Sequence, residues 1–350
     1  MSAVMSIDTK TMTDFLIGLL NTPSPTGLAE KAVEYTERAF APFLFKMRRT
    51  VKGALIAEWE GKASDAPRAL TAHVDTLGAM VKEIKENGRL KLTKVGGFVW
   101  NTVEGEGCTV FTTSGRTVRG SLLLVKASSH VFGAEVGEAK RDDDAMEMRL
   151  DERTTSEAET RALGIEVGDF VAFDPRIEAG PAGFIRSRHL DDKAAVACIF
   201  GAARAMLDAG IQPAQRTTIH ISNYEEVGHG AASGFPPDIV ELLTVDMAAV
   251  GKGQASDEFS ACICVKDSGG PYHVDMNRKL TQLAQAAGIP HRVDIYPYYG
   301  SDGEAFWRAG GDVRVGLIGP GVDASHNYER THTDSLVHTA QLVAEYLRTE

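Results

Sequence analysis

The sequence predicts an α/β fold interrupted by a mostly β segment. Short apolar strands alternate with helix-like periodicity towards both ends of the chain, and from about residue 79 to 183 dense glycines and two-residue alternation replace that rhythm. Polar residues also gather just beyond several of the apolar strands. Residues 11–20 and 28–40 are expected as helices. The first follows Thr and Asp capping candidates; the second follows the turn Pro23-Ser24-Pro25-Thr26-Gly27 and carries Ala29, Ala32, Val33 and Ala39 at apolar positions. Strands are expected at 53–59 and 69–73, the second ending in the polar group His73-Val74-Asp75. In the middle segment Arg89-Leu90-Lys91-Leu92 and Thr117-Val118-Arg119 alternate, and only 152–163 looks helical. Beyond 184 the expected order is helix 192–209, strands 216–222, 242–245 and 260–265, helix 273–287, strands 292–296 and 313–318, and helix 334–348. The division expected is therefore 1–78, 79–183 and 184–350, the first and last forming one α/β domain.

Composition narrows the function. The 350 residues hold 37 Lys+Arg against 48 Asp+Glu, a net charge of −11, which disfavours a phosphate-backbone partner, so no nucleic acid is expected. No apolar run reaches the ~18 residues that span a bilayer, and the run Phe15 to Leu20 lacks the basic start of a secretory signal. A cytoplasmic protein without membrane contact is expected. Cys108, Cys198, Cys262 and Cys264 are scattered, and none forms a CxxC pair, so they read as buried thiols.

The chemistry lies at the strand ends. His73, Asp75, Asp191, Asp192, Glu225, Glu226, Asp246 and His332 all stand just beyond apolar segments, and open α/β sheets bind ligands outside the carboxyl ends of their strands. Any one of them alone is an ordinary cap or loop residue. Together, two histidines and several carboxylates suit zinc or a similar divalent ion, and a carboxylate between two ions can bridge them. Asp75 is placed to accept the second ring N–H of His73. In an extended backbone Glu225 and Glu226 point to opposite faces, so one is expected to ligate and the other to move protons. His229, His326 and His338 compete for ligand roles; His326 lies in a Ser-His-Asn-Tyr loop and His338 within the last helix.

Four ordered motifs carry a resemblance. Ala72-His73-Val74-Asp75-Thr76-Leu77-Gly78, His189-Leu190-Asp191-Asp192-Lys193, Glu225-Glu226-Val227-Gly228 and Arg330-Thr331-His332-Thr333-Asp334-Ser335 resemble those of the glutamyl aminopeptidase family, which includes the tetrahedral aminopeptidases and CelM-like proteins. Gly300-Ser301-Asp302-Gly303 is similar to a late loop of that family, and Gly120 to His130 with Val167-Gly168-Asp169-Phe170-Val171 to its inserted β domain. The resemblance implies a mixed sheet with helices on both faces, of the dinuclear zinc-peptidase type, with an inserted β domain for dimerisation or assembly. It implies two divalent ions, zinc with cobalt or manganese as alternatives: Asp191 bridging, His73 and Asp246 on one ion, Glu226 and His332 on the other. Glu225 is implied as the catalytic base; Asp75, the expected orienting group for His73, is counted with it as a catalytic residue, and His229, Ser301 and Asp302 are the candidates for substrate contact. His229 and Thr333-Asp334 depart from the family pattern, which opens the substrate more than the metals. The activity implied is removal of N-terminal residues from small peptides by a homo-oligomer, from dimer to dodecamer. Hydrolysis of an acetylated dipeptide or other small amide is the alternative, and a non-catalytic metal-binding assembly protein is the reading from another class. A cellulase is disfavoured, because nothing suggests an aromatic sugar groove.

Overall fold

The computed structural model describes residues 4–350, so residues 1–3 of the expected opening segment lie outside it. Among the described residues the strands form two sheets. The larger runs, from one edge, through Lys46–Arg49, Leu55–Trp59, Gln215–Ser222, Ala63–His73, Glu241–Val245 and Arg314–Asp323. The last four are parallel to their neighbours, whereas Leu55–Trp59 lies antiparallel to Gln215–Ser222. Ala261–Asp267 pairs antiparallel with Arg314–Asp323 and carries His291–Ile295 on its far side. Glu329–His332 leads on to Phe184–Ser187 and Glu178–Ala179.

The central strands are covered on both faces, which is why they read as continuous apolar runs. Leu70, Leu243, Val245, Ile263 and Ile318 face a layer that includes Met12, Leu16, Val196, Met276 and Leu336, from helices Thr9–Leu20, Leu190–Asp208, Val274–Ala287 and Thr333–Arg348. Alternate residues Ala69, Leu242, Cys262, Cys264 and Leu317 pack on the opposite side with Phe306 and Trp307 of helix Asp302–Arg308. Each fully buried Leu or Ile contributes roughly 1.5–3 kcal/mol, so both layers hold the sheet's register. The mixed sheet with helices on both faces is thus observed as expected.

The second sheet is a closed barrel in the order Gly78–Ile84, Leu90–Val95, Met146–Leu150, Thr117–Leu124, Gly107–Phe111 and Phe170–Phe173. Its alternating residues Val81, Leu92, Val110, Leu122, Met148 and Val171 fill the interior, and closure removes the exposed edges that would otherwise recruit other strands. Glu178–Ala179 and Phe184–Ser187 already belong to the large sheet, so the middle segment expected to reach 183 leaves the barrel after Phe173. The helix expected at 152–163 is shorter, Glu157–Ala162. All four cysteines are buried and free, and among the described residues no helix is long and apolar enough to cross a membrane.

Candidate active site

Three parallel strands deliver the polar residues to one edge. His73 ends Ala63–His73, Glu225 and Glu226 follow Gln215–Ser222, and Asp246 follows Glu241–Val245. Parallel strands place their carboxyl ends on the same side. Asp191 and Asp192 arrive at the start of Leu190–Asp208, where both have non-helical backbone angles and share a cis peptide bond. His326 arrives on the turn between Arg314–Asp323 and Glu329–His332.

Two groups of donor atoms result. Those of His73, Asp192 and Asp246 all lie within 4.8 Å of one another, and so do those of Asp191, Glu226 and His326. Asp191 links them: Oδ1 is 3.3 Å from His73 Nε2 and Oδ2 is 3.3 Å from His326 Nε2. Glu225 belongs to neither group, although its Oε2 lies 3.7 Å from His73 Nε2.

The two imidazoles are held alike. Nδ1 of His73 is 3.0 Å from the backbone carbonyl oxygen of Asp75, and Nδ1 of His326 bonds the carbonyl of Gly97. A carbonyl only accepts, so Nδ1 carries the proton in both rings and Nε2 is directed at the carboxylates. His73 Nε2 and Asp246 Oδ1 are buried and make no hydrogen bond among the described residues. Orphaned buried polar atoms are costly, and imidazole nitrogens facing carboxylate oxygens are the donor set that divalent cations take. The residues present therefore fit a pair of such ions.

Electrostatics points the same way. Burial first, then the nearby Asp191 charge, pushes Asp246 up to about 7. Burial and neighbouring carboxylates hold Glu225, Glu226 and Asp192 well above the ordinary carboxylate range. Burial opposes a charge on the histidines, yet Asp191 and Asp75 carry His73 well above the imidazole norm, and Asp191 and Glu226 carry His326 up to about 11. The cluster is short of positive charge, which a divalent cation held by these residues would supply.

Three buried carboxylates fasten the segments by their backbone amides. Asp192 accepts from His73 N at 3.2 Å and Met247 N at 3.1 Å. Asp75 accepts from Glu225 N at 3.2 Å, Glu226 N at 3.3 Å and the Thr26 hydroxyl at 2.6 Å. Glu329 accepts from Asp191 N at 3.1 Å and His326 N at 3.0 Å. With both oxygens of Asp192 engaged, Asp191 is the carboxylate whose oxygens face the histidines. Close approach matters too: a Cβ on Gly319 would stand 1.6 Å from the carbonyl oxygen of Asp246, so only glycine lets that strand run beside the Asp246 backbone.

Residues 53–342 match the family described as M42 glutamyl aminopeptidase. YhfE of Bacillus subtilis (strain 168), provisionally named an aminopeptidase, is 48% identical over 339 residues, covering 97% of each chain. The chain belongs to the M42 glutamyl aminopeptidase family. Among solved structures, aminopeptidase APDkam598 of Desulfurococcus kamchatkensis superposes with a TM-score of 0.88 at 19% identity, over 98% of this chain and 96% of the other. The TET1 peptidase of Pyrococcus horikoshii gives 0.84 at 21%, over 97% and 100%; these likenesses establish the fold. This M42 chain is accordingly a hydrolase of the peptidase class.

Several expected site residues of the M42 chain are placed differently. His332, expected as the second ligand histidine, is spent on structure: Nε2 is 2.8 Å from Ala182 O, Nδ1 accepts from Asp334 N at 3.1 Å as helix cap, and the ring lies between Phe184 and Phe259. His326 occupies the place expected of it. The only sequence signal was its position in a loop after an apolar strand; its left-handed backbone, φ 62°, is not legible there. Asp75 orients His73 through its backbone carbonyl, its carboxylate standing 3.5 Å from Nδ1. Glu225 and Glu226 share a 3₁₀ turn, Glu225–Val227, instead of an extended strand. His229 is exposed, stacks on Tyr224 at 5.3 Å and lies outside the cavity lining. Asp302 is buried and accepts from Ser222 Oγ, Thr71 Oγ1 and Ala231 N, tying two strands to the loop after Glu226. Ser301 does line the cavity, with its hydroxyl 2.7 Å from that of Tyr272.

Behind Ser301, which lines the cavity, Glu304 lies beside Asp267. Burial and the neighbouring Asp267 carboxylate push Glu304 up to about 7, against the pull of Arg308. In the unfolded chain the same carboxyl loses its proton near 4.3. Between these values the folded state binds more protons than the unfolded, so stability falls as pH rises through that window and the contribution is gone above about 7. Glu304→Gln is expected to match the wild-type melting temperature at pH 4 and exceed it at pH 8. Circular dichroism melts at the two pH values check this, and parallel curves would refute it.

Proposed function

We propose that this chain is a metallo-aminopeptidase that cleaves the N-terminal peptide bond of small peptides with two divalent cations, zinc foremost and cobalt or manganese as substitutes. The supporting observation is Asp191 turning one carboxylate oxygen to each of two similarly held histidines while Glu225 stands outside both donor groups. His73, Asp191 and Asp246 are assigned to one ion, and Asp191, Glu226 and His326 to the other. Such ions, when bound, lower the pKa of water towards about 7 and polarise a carbonyl.

The chain's own residues do the rest. Glu225 takes the proton of the attacking water and returns it to the leaving amine, with its backbone fixed by Asp75. The substrate lies in a cavity of about 480 Å³ lined by Asp191, Glu225, Asp246, Tyr299, Ser301 and His326, among others. Tyr299 is held by its hydroxyl, which donates to Met247 O at 2.7 Å, so that wall is rigid beside Asp246. The TET1 relative is described as assembling into a tetrahedron or a large octahedral shell; a homo-oligomer, with the barrel as a contact surface, is part of this proposal.

Turnover of free and N-acetylated dipeptides, each with zinc, cobalt and manganese, tests the reading. Free dipeptides are expected to be cleaved and acetylated ones spared. Preference for the acetylated series makes the chain a hydrolase of blocked amides, and full ion loading without turnover of either makes it a non-catalytic metal-binding protein.

A further inference from the structure

We infer that Glu329 is a positioning residue that sets Asp191 and His326 at their working separation, and thereby governs ion occupancy at the Asp191, Glu226 and His326 group without touching ion or substrate. This rests on the two-ion reading above. Glu329 opens the strand Glu329–His332 and pairs in register with Ser187, so the sheet fixes its backbone. Its side chain is buried, with the residue only 2% exposed. Oε2 accepts the Asp191 amide at 3.1 Å and Oε1 accepts the His326 amide at 3.0 Å. These amides belong to segments far apart in sequence, and His326 stands in a left-handed conformation that a non-glycine residue holds only when its surroundings impose it. One planar carboxyl group spanning two amides fixes their separation, because moving either ligand breaks a hydrogen bond in a buried place.

The arrangement defines what substitution does. Glu329→Gln leaves one oxygen and turns an NH2 group towards the other amide, so one of the two segments is released. Glu329→Asp keeps the carboxyl group but withdraws it by one methylene, so it cannot span both amides. Loss of a group that orients ligands lowers metal affinity by about 10–100-fold.

Calorimetric titration of the full chain with cobalt(II), followed also by its visible absorption, reads this directly. Wild type is expected to take up two equivalents. Glu329→Gln is expected to keep one and weaken the other by about 10–100-fold, with the same absorption change as His326→Ala. Glu147→Gln serves as the control for general destabilisation: that carboxylate is equally buried but lies in the barrel, held by Lys85 and Arg89, and its variant is expected to melt lower while keeping both equivalents. Should Glu329→Gln fail to fold, Glu329→Asp carries the same readout. Two unchanged equivalents in both Glu329 variants overturn the inference, as does loss of the second ion in Glu147→Gln. Failure of wild type to bind two equivalents overturns instead the two-ion reading beneath it.

Discussion

Glu225→Gln is expected to lower kcat by about 10²–10⁴-fold with both ions still bound. At 1.36 kcal/mol per tenfold this is about 2.7–5.4 kcal/mol of lost transition-state stabilisation. The substitution is nearly isosteric, and Asp75 grips residue 225 through its backbone amide, which glutamine retains. Glu225 lies outside both donor groups, so its replacement leaves each ligand set intact. What disappears is the ability to take a proton from water and deliver it to the amine. Because that transfer occurs only in the transition state, kcat and kcat/KM should fall together with KM little changed. Steady-state kinetics with elemental analysis of the same preparation checks it. Wild-type kcat would remove Glu225 as the proton acceptor; a missing ion would move it into the ligand set.

The fold was legible where burial imposes periodicity. Glu241–Val245 and Arg314–Asp323 are covered on both faces and announce themselves as apolar runs, and Thr333–Arg348 buries Leu336, Ala340, Val343 and Leu347 at helical spacing. Other elements hide for physical reasons. Lys46–Arg49 is an edge strand whose exposed charges discourage further pairing and also mask the strand pattern. The first half of Ala63–His73 is exposed, so only its buried half reads as a strand. Asp302–Arg308 is short and begins in a Gly-Ser-Asp-Gly loop that looks irregular. At the site, His73, Glu225, Glu226 and Asp246 come together because each ends or follows a strand whose carboxyl end lies at one sheet edge, and Asp191 joins them from the start of Leu190–Asp208. Choosing between His326 and His332 needed something the chain order does not encode. Phe184 pairs in register with His332, which commits that ring to Ala182 and two phenylalanines, while the preceding turn swings His326 towards Asp191.

That choice yields the second large effect. His326→Ala is expected to leave the chain short of one ion, and His332→Ala to keep both. Nε2 of His326 stands 3.3 Å from Asp191 and 3.6 Å from Glu226, so its removal leaves two carboxylates without the neutral donor that completes their set. The polarising effect of one ion is worth several kcal/mol, so activity should drop by more than about 10²-fold. For His332 the loss falls on stability instead. Its ring caps helix Thr333–Arg348 by accepting from Asp334 N, and a lost cap costs about 0.5–2 kcal/mol. His332→Ala should therefore melt lower yet retain ion content and most of its kcat. Each variant is the control for the other: a general loss of packing would lower melting temperature in both without separating their ion content. The opposite pattern, an emptied site in His332→Ala and a loaded one in His326→Ala, would require the turn carrying His326 to swing away and the first turn of the last helix to unwind, breaking the bonds to Gly97 and Asp334.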